Sequence, residues 1–510
     1  MNNNHEIEQD VKERNMKLIV NVIDPEEMRV AILDERGRLD NLYIERMMER
    51  QRTGEIYKAR VDSVLPGMNA AFLSLGDGRN GFLYLNDVGN AVVKPGMDML
   101  VQVLKTPNRG KGARVSPRVS LAGRYLVLVP SNRDVGVSKR IEDDDERARL
   151  RVLARKLRPE GCGLIVRTMA AYCDEESLAR DVGELLEEWL EVERKAKKND
   201  APCLLHRDIG LVERILRDEL TDSIGEIVVD SMDEFENIAV FIERLAAETR
   251  PELSLYKGNL PMFDVYGIER AIEEIHDRKV WLPSGAYLVV DQTEALTVID
   301  VNTGKYIGSK DLRDTIYHTN FEAAEEIARQ LRLRAIGGIV VIDFIDMENP
   351  DDGNKLVGSL QELFKSDRCK ARVYGVTELG LVEITRKRAR LDMRSIMSRS
   401  CPFCGGLGWV DKEETVAMKV KRFLRKAVLA SNSEAFLTEL HPAIARYIAE
   451  TYLAMWEEEF GRRFYLVESP EYAWDKFKID FQGTLSRVVH RVEAMERREA
   501  AVVVHSTTSA

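Results

Sequence analysis

Two apolar runs that end in carboxylates constrain this chain more than any other feature: Leu296–Gly304, with Asp300 and Asn302, and Gly337–Asp346, with Asp343 and Asp346. Both are rich in Val and Ile, and their nearly continuous apolar character predicts strands buried on both faces. Between them, Phe321, Ala324, Ile327, Ala328 and Leu331 recur at helical spacing within Tyr317–Ile336, and Gly337 and Gly338 are expected to end that helix. Strand, helix, strand implies a right-handed crossover between adjacent or near-adjacent parallel strands. Both strand ends then open on one crevice, where open α/β sheets bind ligands. Side chains alternate along a strand, so Asp300 and Asn302 share a face. A carboxylate at the end of a buried strand is costly unless paired, and hard oxygen ligands suit magnesium. Asp300, Asn302 and Asp343 are therefore expected to converge on one cation. A lone Asp at such a position more often caps a loop through backbone N–H groups; two around one crossover favour the metal.

At 510 residues the chain is too long for one ordinary domain, and length alone suggests about three or four. Apolar residues make up 44% and charged residues 32%, which excludes a disordered chain. The sequence has no apolar run of membrane-spanning length, and its first fifteen residues have no apolar core, so neither a span nor a signal peptide is expected. Six cysteines are scattered apart from Cys401 and Cys404. That is no disulfide framework and fits a reducing cytoplasm. A net charge of −11 argues against a surface generally coated with nucleic acid, so any RNA contact must rest on local basic patches.

Along the chain, Lys17–Ile23 and Arg29–Leu33 read as strands. From Gly54 to about Leu128, short strands punctuated by glycine turns suggest a small all-β barrel. Glu142–Leu157 and Glu175–Asn199 read as charged helices, with a strand at Gly163–Thr168 between them. A new unit begins near Asp208, with a helix to Leu220, a strand at Glu226–Asp230, a loop over Leu253–Phe263 and a short helix at Glu269–Asp277. The crossover core spans about Val280 to Lys387, followed by the basic cluster Arg386–Arg390. Glu413–Ala430 is helical, a mixed α/β segment runs to about Val492, and the remaining tail is expected to fray.

Three further motifs carry chemistry. Phe72 and Phe82 sit in the barrel among Lys58, Arg60, Arg79, Arg109, Lys111 and Arg114; rings that stack bases beside cations that meet phosphates are how such barrels bind single strands. Core positions are the rule for Phe in a barrel, but the flanking polar turns favour exposure of at least one. Arg167 and Thr168, at a strand end, offer a guanidinium fork and a hydroxyl for a phosphate; the blander reading is a surface turn. Cys401-x-x-Cys404 before a glycine run is half of a structural zinc site. With no second such pair in the chain, two chains sharing one zinc, hence a homodimer, is the expectation; the alternative is a metal-free turn.

Thr293–Gly304, Glu322–Arg334, Val341–Met347 and Cys401–Gly408 together resemble the ribonuclease E/G family of bacterial endoribonucleases, over nearly the whole chain. The Val301–Gly304 form and the want of a long C-terminal extension look more like the G branch than the E branch. The resemblance implies a multidomain α/β (α+β) chain: a ribonuclease H-like domain in two parts (1–50 and 208–279), an inserted OB-fold RNA-binding barrel (51–128), a 5′-sensor region (129–207), a deoxyribonuclease I-like catalytic domain (280–397), a zinc link (398–412) and a small α/β dimerisation domain (413–510). It implies that Asp300 and Asp343 bind magnesium and that Asn302 positions the scissile phosphate. Arg167 and Thr168 would form a 5′-monophosphate pocket. Phe72, Phe82 and Lys111 would contact RNA, and Cys401 and Cys404 would share zinc between subunits. Phe403 stands where a basic residue is frequent between those cysteines, so no charge role is expected there. The implied activity is magnesium-dependent hydrolysis of single-stranded RNA to 5′-phosphate and 3′-hydroxyl ends, in ribosomal RNA maturation and mRNA decay, by a cytoplasmic homodimer that could pair into a tetramer. The rival is a non-catalytic RNA-binding scaffold on the same fold. Loss of Asp300 or Asp343 would signal that, and both are present.

Overall fold

In the computed structural model, which describes residues 15–47, 52–76, 78, 80–89, 91–105, 112–243, 245, 250–304, 312–347, 349–365, 367–497 and 502–504, the two carboxylate runs form neighbouring strands. Leu296–Asn302 and Gly338–Asp343 pair in parallel at the centre of a six-stranded sheet. The sheet runs, edge to edge, Lys279–Trp281, Tyr287–Gln292, Leu296–Asn302, Gly338–Asp343, Val382–Arg386 and Arg372–Val376. The expected crossover is a single helix, Leu312–Leu333, whose Ala324, Ile327, Ala328 and Leu331 are fully buried; Phe321 packs at the margin.

The strands are not buried on both faces. Thr297, Ile299 and Val301 of the first and Val340 and Ile342 of the second face the helices, whereas Val298, Asp300, Ile339 and Asp343 are exposed. Among the described residues, two helices, Leu312–Leu333 and Pro350–Leu363, cover one side only. The long apolar runs misled because Val298 and Ile339 supply β-branched surface to the uncovered side, where strand propensity rather than burial selects them.

The glycine pair also has another role than ending the helix. The helix stops at Leu333, and Ala335, at φ +53°, takes the left-handed turn. Gly337 instead lets the Arg388 backbone pass, since a Cβ there would lie 3.0 Å from Arg388 Cα. Arg388 Nε then donates to the Gly337 carbonyl at 3.1 Å.

Within the same unit, Met1–Ile396, a five-stranded sheet runs Glu252–Leu255, Ile224–Val229, Met16–Asn21, Glu27–Leu33, Leu39–Arg46. Its last strand and its Glu252–Leu255 edge lie outside the strands expected from sequence, the latter running into the expected loop Leu253–Phe263. The barrel closes through Ile56–Leu65, Ala70–Ser74, Asn80–Tyr84, Arg114–Ser116 and Asp98–Lys105, the last pairing back on the first. Cys203–His206 adds to it from far along the chain. Leu126–Val129 leaves the barrel for a smaller sheet with Leu121–Ala122, Val135–Val137 and Gly163–Val166, which packs against the helices Asp144–Leu157 and Glu175–Lys198.

The second unit, Met397–Ala510, has a four-stranded sheet ordered Phe477–Gly483, Ala435–Leu440, Arg463–Glu468, Val502–Val504. The expected helix Glu413–Ala430 packs on one face, and Leu485–Arg497 on the other. Part of the supposedly frayed tail, Val502–Val504, is thus an edge strand. No helix of the described residues is long and apolar enough to cross a membrane. Gly337→Ala should cost about 1–3 kcal/mol by forcing Arg388 away; thermal unfolding checks this, and an unchanged Tm rules out the close approach as a constraint.

Candidate active site and RNA-contacting surfaces

The strand register itself builds the central site. Asp300 and Asp343 are direct partners across the parallel pair, on adjacent strands about 4.8 Å apart. Their side chains share the uncovered face. Asn302 follows one step on, and its Nδ2 donates to Asp300 Oδ2 at 2.8 Å. Both carboxylates are exposed, so the desolvation argument for pairing them does not apply; their mutual proximity does. Among the described residues neither has a cation within ion-pair distance.

Like charges side by side with an amide beside them suit one divalent cation. Magnesium in particular is commonly held by one or two carboxylates while keeping several waters. Among the described residues no three His, Cys, Asp or Glu side chains gather to enclose a metal.

On the barrel, Phe72 and Phe82 are direct cross-strand partners, with ring centroids 5.7 Å apart at 70°. Both are half-buried, outside the barrel core formed by Ala71, Leu73, Leu83, Val101 and Val115. A third ring, Tyr84, extends the row at 4.8 Å from Phe82, and Arg114 lies over it at 4.9 Å. The strand period of two (Phe82, Tyr84) is the signal that could have found Tyr84. The surrounding cations are less available than their sequence grouping suggests. Lys58 donates to the carbonyls of Ala196 and Asn199 at 3.0 and 2.8 Å, and Arg60 pairs with Asp98 at 2.8 Å. Lys111, Arg79 and Arg109 lie outside the described residues.

Arg167 and Thr168 follow the strand Gly163–Val166, Thr168 opening a single 3-10 turn. The Arg167 guanidinium donates to the Gly123 carbonyl and to Asp218, which fixes its direction and leaves further N–H groups for an anion. Burial pushes the Asp218 carboxyl up, and Arg217 and Arg167 beside it more than offset this, holding it below the usual range. The Thr168 hydroxyl sits 2.9 Å from that of Ser138, on the surface.

Cys401 and Cys404 lie near the start of the second unit, the first exposed and the second half-buried. Gly405, Gly406 and Gly408 all take positive φ, folding the chain so that the Gly408 N–H donates to Cys404 Sγ at 3.4 Å. That bond, followed by one from the Gly406 N–H, holds the Cys404 thiol below its ordinary range. Thiolate-favouring donors on a tight glycine turn fit a soft metal.

Comparison with known proteins shows relatives over most of this chain. The model of the ribonuclease E/G family matches residues 120–389. The chain belongs to that family. It is 38% identical over 485 residues to ribonuclease G of Salmonella typhimurium strain SL1344, covering 91% of this chain and 99% of that protein. It is 40% identical over 448 residues to ribonuclease G of Escherichia coli strain K12, covering 84% and 91%. It is 38% identical over 402 residues to ribonuclease E of Nostoc sp. strain PCC 7120, covering 76% of this chain but 58% of that protein. The matched family region holds the Asp300–Asp343 pair and Arg167, while the barrel rings and the cysteine turn lie beyond it.

Because the paired carboxylates repel, Asp300→Asn should raise the Tm of chelator-treated protein by about 1–2 °C, and added magnesium should stabilise the wild type more than the variant. Calorimetry in chelator and in magnesium checks both; a lower Tm in chelator would mean that Asp300 serves the fold.

Proposed function

We propose that this chain hydrolyses single-stranded RNA at the Asp300–Asp343 pair. As a member of its family it is an endoribonuclease, a hydrolase of phosphodiester bonds. One observation carries the siting of the chemistry: two exposed carboxylates in direct register on adjacent parallel strands, with Asn302 hydrogen-bonded to one of them.

On this reading Asp300 and Asp343 hold magnesium. The ion, when bound, lowers the pKa of a coordinated water and offsets charge on the phosphate. Asn302 keeps one N–H on Asp300 and offers its other N–H to the scissile phosphate. In-line attack by water leaves a 5′-phosphate and a 3′-hydroxyl. The row Phe72, Phe82, Tyr84 stacks unpaired bases, and Lys111 meets the backbone, which selects single strands over rigid duplex.

Arg167 and Thr168 receive a 5′-monophosphate, and Cys401 and Cys404 share zinc with a second subunit; dimers could pair further. We read the five-stranded sheet as ribonuclease H-like, the segment 129–207 as the 5′ sensor, the six-stranded sheet as deoxyribonuclease I-like, and residues 413–510 as the dimerisation domain. Ribosomal RNA maturation and mRNA decay in the cytoplasm are the processes such an enzyme serves.

Asp300→Asn and Asp343→Asn should each abolish cleavage across a magnesium titration while RNA affinity stays near wild type, because a metal ligand acts mainly on the transition state; a normally active variant sinks the assignment. Metal analysis should find near half a zinc per chain, lost together with the dimer in the Cys401→Ser, Cys404→Ser double variant; one zinc per monomer would refute sharing. Arg167→Ala should slow cleavage of 5′-monophosphorylated RNA by about tenfold to a hundredfold, and leave circular RNA nearly unaffected. Equal slowing of both substrates would make Arg167 structural, as its bonds to Asp218 and Gly123 allow.

A further inference from the structure

The uncovered face of the six-stranded sheet carries more than its carboxylates. Strand register places Trp281 opposite Tyr287, and Tyr287 opposite Asn302. The next row holds Lys279, Val289, Asp300 and Asp343. Leu288 and Val290 turn to the core, so Trp281, Tyr287 and Lys279 stand on the same side as Asp300. Trp281 is 58% exposed on a three-residue edge strand. Its ring centroid lies 5.3 Å from that of Tyr287, tilted by 59°. The Lys279 ammonium sits 4.0 Å from the Trp281 centroid and 3.5 Å from that of Tyr287. Gly304, at φ +60°, lets the turn after Asn302 pass the Tyr287 ring, since a Cβ there would meet Tyr287 Cδ1 at 3.2 Å and the Gly285 carbonyl at 2.5 Å.

We propose that Trp281 and Tyr287, backed by Lys279, form a nucleobase-stacking platform that takes a base next to the scissile phosphate. Two strand spacings, about 10 Å, separate Trp281 from the strand of Asp300, so a neighbouring nucleotide of the same RNA strand reaches it. An exposed Trp with a cation on its π-face offers stacking and a phosphate contact at one place, the pairing single-strand binders use. The platform therefore sets the position of the strand over the carboxylates, and it favours bases that stack well. This rests on the reading of Asp300 and Asp343 as the cleavage centre.

The test uses the full chain carrying Asp343→Asn, in chelator, and measures binding of a 5′-hydroxyl oligoribonucleotide with single abasic nucleotides stepped across its mapped cleavage site. Trp281→Ala should weaken binding roughly tenfold, Trp281→Leu nearly as much, and Trp281→Phe little. At one position flanking the cleavage site, the abasic nucleotide should weaken binding with Trp281 present and add nothing once it is replaced. Unchanged abasic costs at every position in both the Ala and Leu variants would overturn the platform, as would a changed sedimentation coefficient without a change in RNA affinity, which would make Trp281 a contact to a second copy. If the Asp343→Asn chain still cuts in magnesium, the carboxylate reading falls, while the binding cycle, which involves no cleavage, still decides whether a base stacks on Trp281.

Discussion

The parallel register of Leu296–Asn302 against Gly338–Asp343 is the constraint on which the rest hangs. It sets Ile299 beside Ile342 under the crossover helix and Asp300 beside Asp343 on the open side. A slip of one residue would exchange the two faces of either strand, burying a carboxylate and exposing an isoleucine. The hydrophobic core of the sheet therefore holds the acidic pair together, although the pair itself is repulsive. Side-chain ties reinforce the register. Arg386, buried with Asp367 at 2.6 Å, also donates to the Ile336 carbonyl at 2.7 Å, just before the second strand begins. Arg332 pairs with Asp40 at 2.7 Å and fixes the crossover helix to the neighbouring five-stranded sheet. Leaving one member of the buried Arg386–Asp367 pair alone would cost about 3–5 kcal/mol, far more than the repulsion it helps to contain.

Local pattern made the crossover, the barrel and the long helices legible, because each is written within a window of a few turns. What escaped is non-local. Cys203–His206 joins the barrel from far along the chain, and Glu252–Leu255 is a strand only because Ile224–Val229 offers it a parallel edge. Leu39–Arg46 mixes Asp40, Asn41, Glu45 and Arg46 into its run, since several of these side chains serve ion pairs between elements rather than solvent. The basic cluster at Arg386–Arg390 shows the same limit. Its charges are legible and their employment is not: Arg386 is buried, and Arg390 donates to the Leu42 carbonyl and lies 4.1 Å over the Tyr43 ring.

The site divides along the same line. Asp300 and Asp343 stand at the ends of two conspicuous runs, so their convergence follows from one crossover. Trp281 stands on a three-residue edge strand, and its nearness to Asp300 depends on two successive antiparallel registers that no single window of sequence displays.

Charge explains why an aromatic surface belongs beside such a pair. With a net charge of −11 and two facing carboxylates, the chain offers an RNA phosphate little general attraction at its own centre. Several of the described cations nearest the barrel are spent within the fold, on Asp98 or on backbone carbonyls. Phosphate and carboxylates together place three negative groups at one point, which a multivalent cation offsets. Ring faces add affinity without adding charge, and they hold bases rather than phosphates, so they leave the phosphate free to meet the metal. On the proposed reading, stacking at Phe72, Phe82 and Tyr84 on the barrel and at Trp281 and Tyr287 on the catalytic sheet fixes the strand by its bases. The acidic pair is then reserved for the one phosphate at which binding energy must change between ground and transition state.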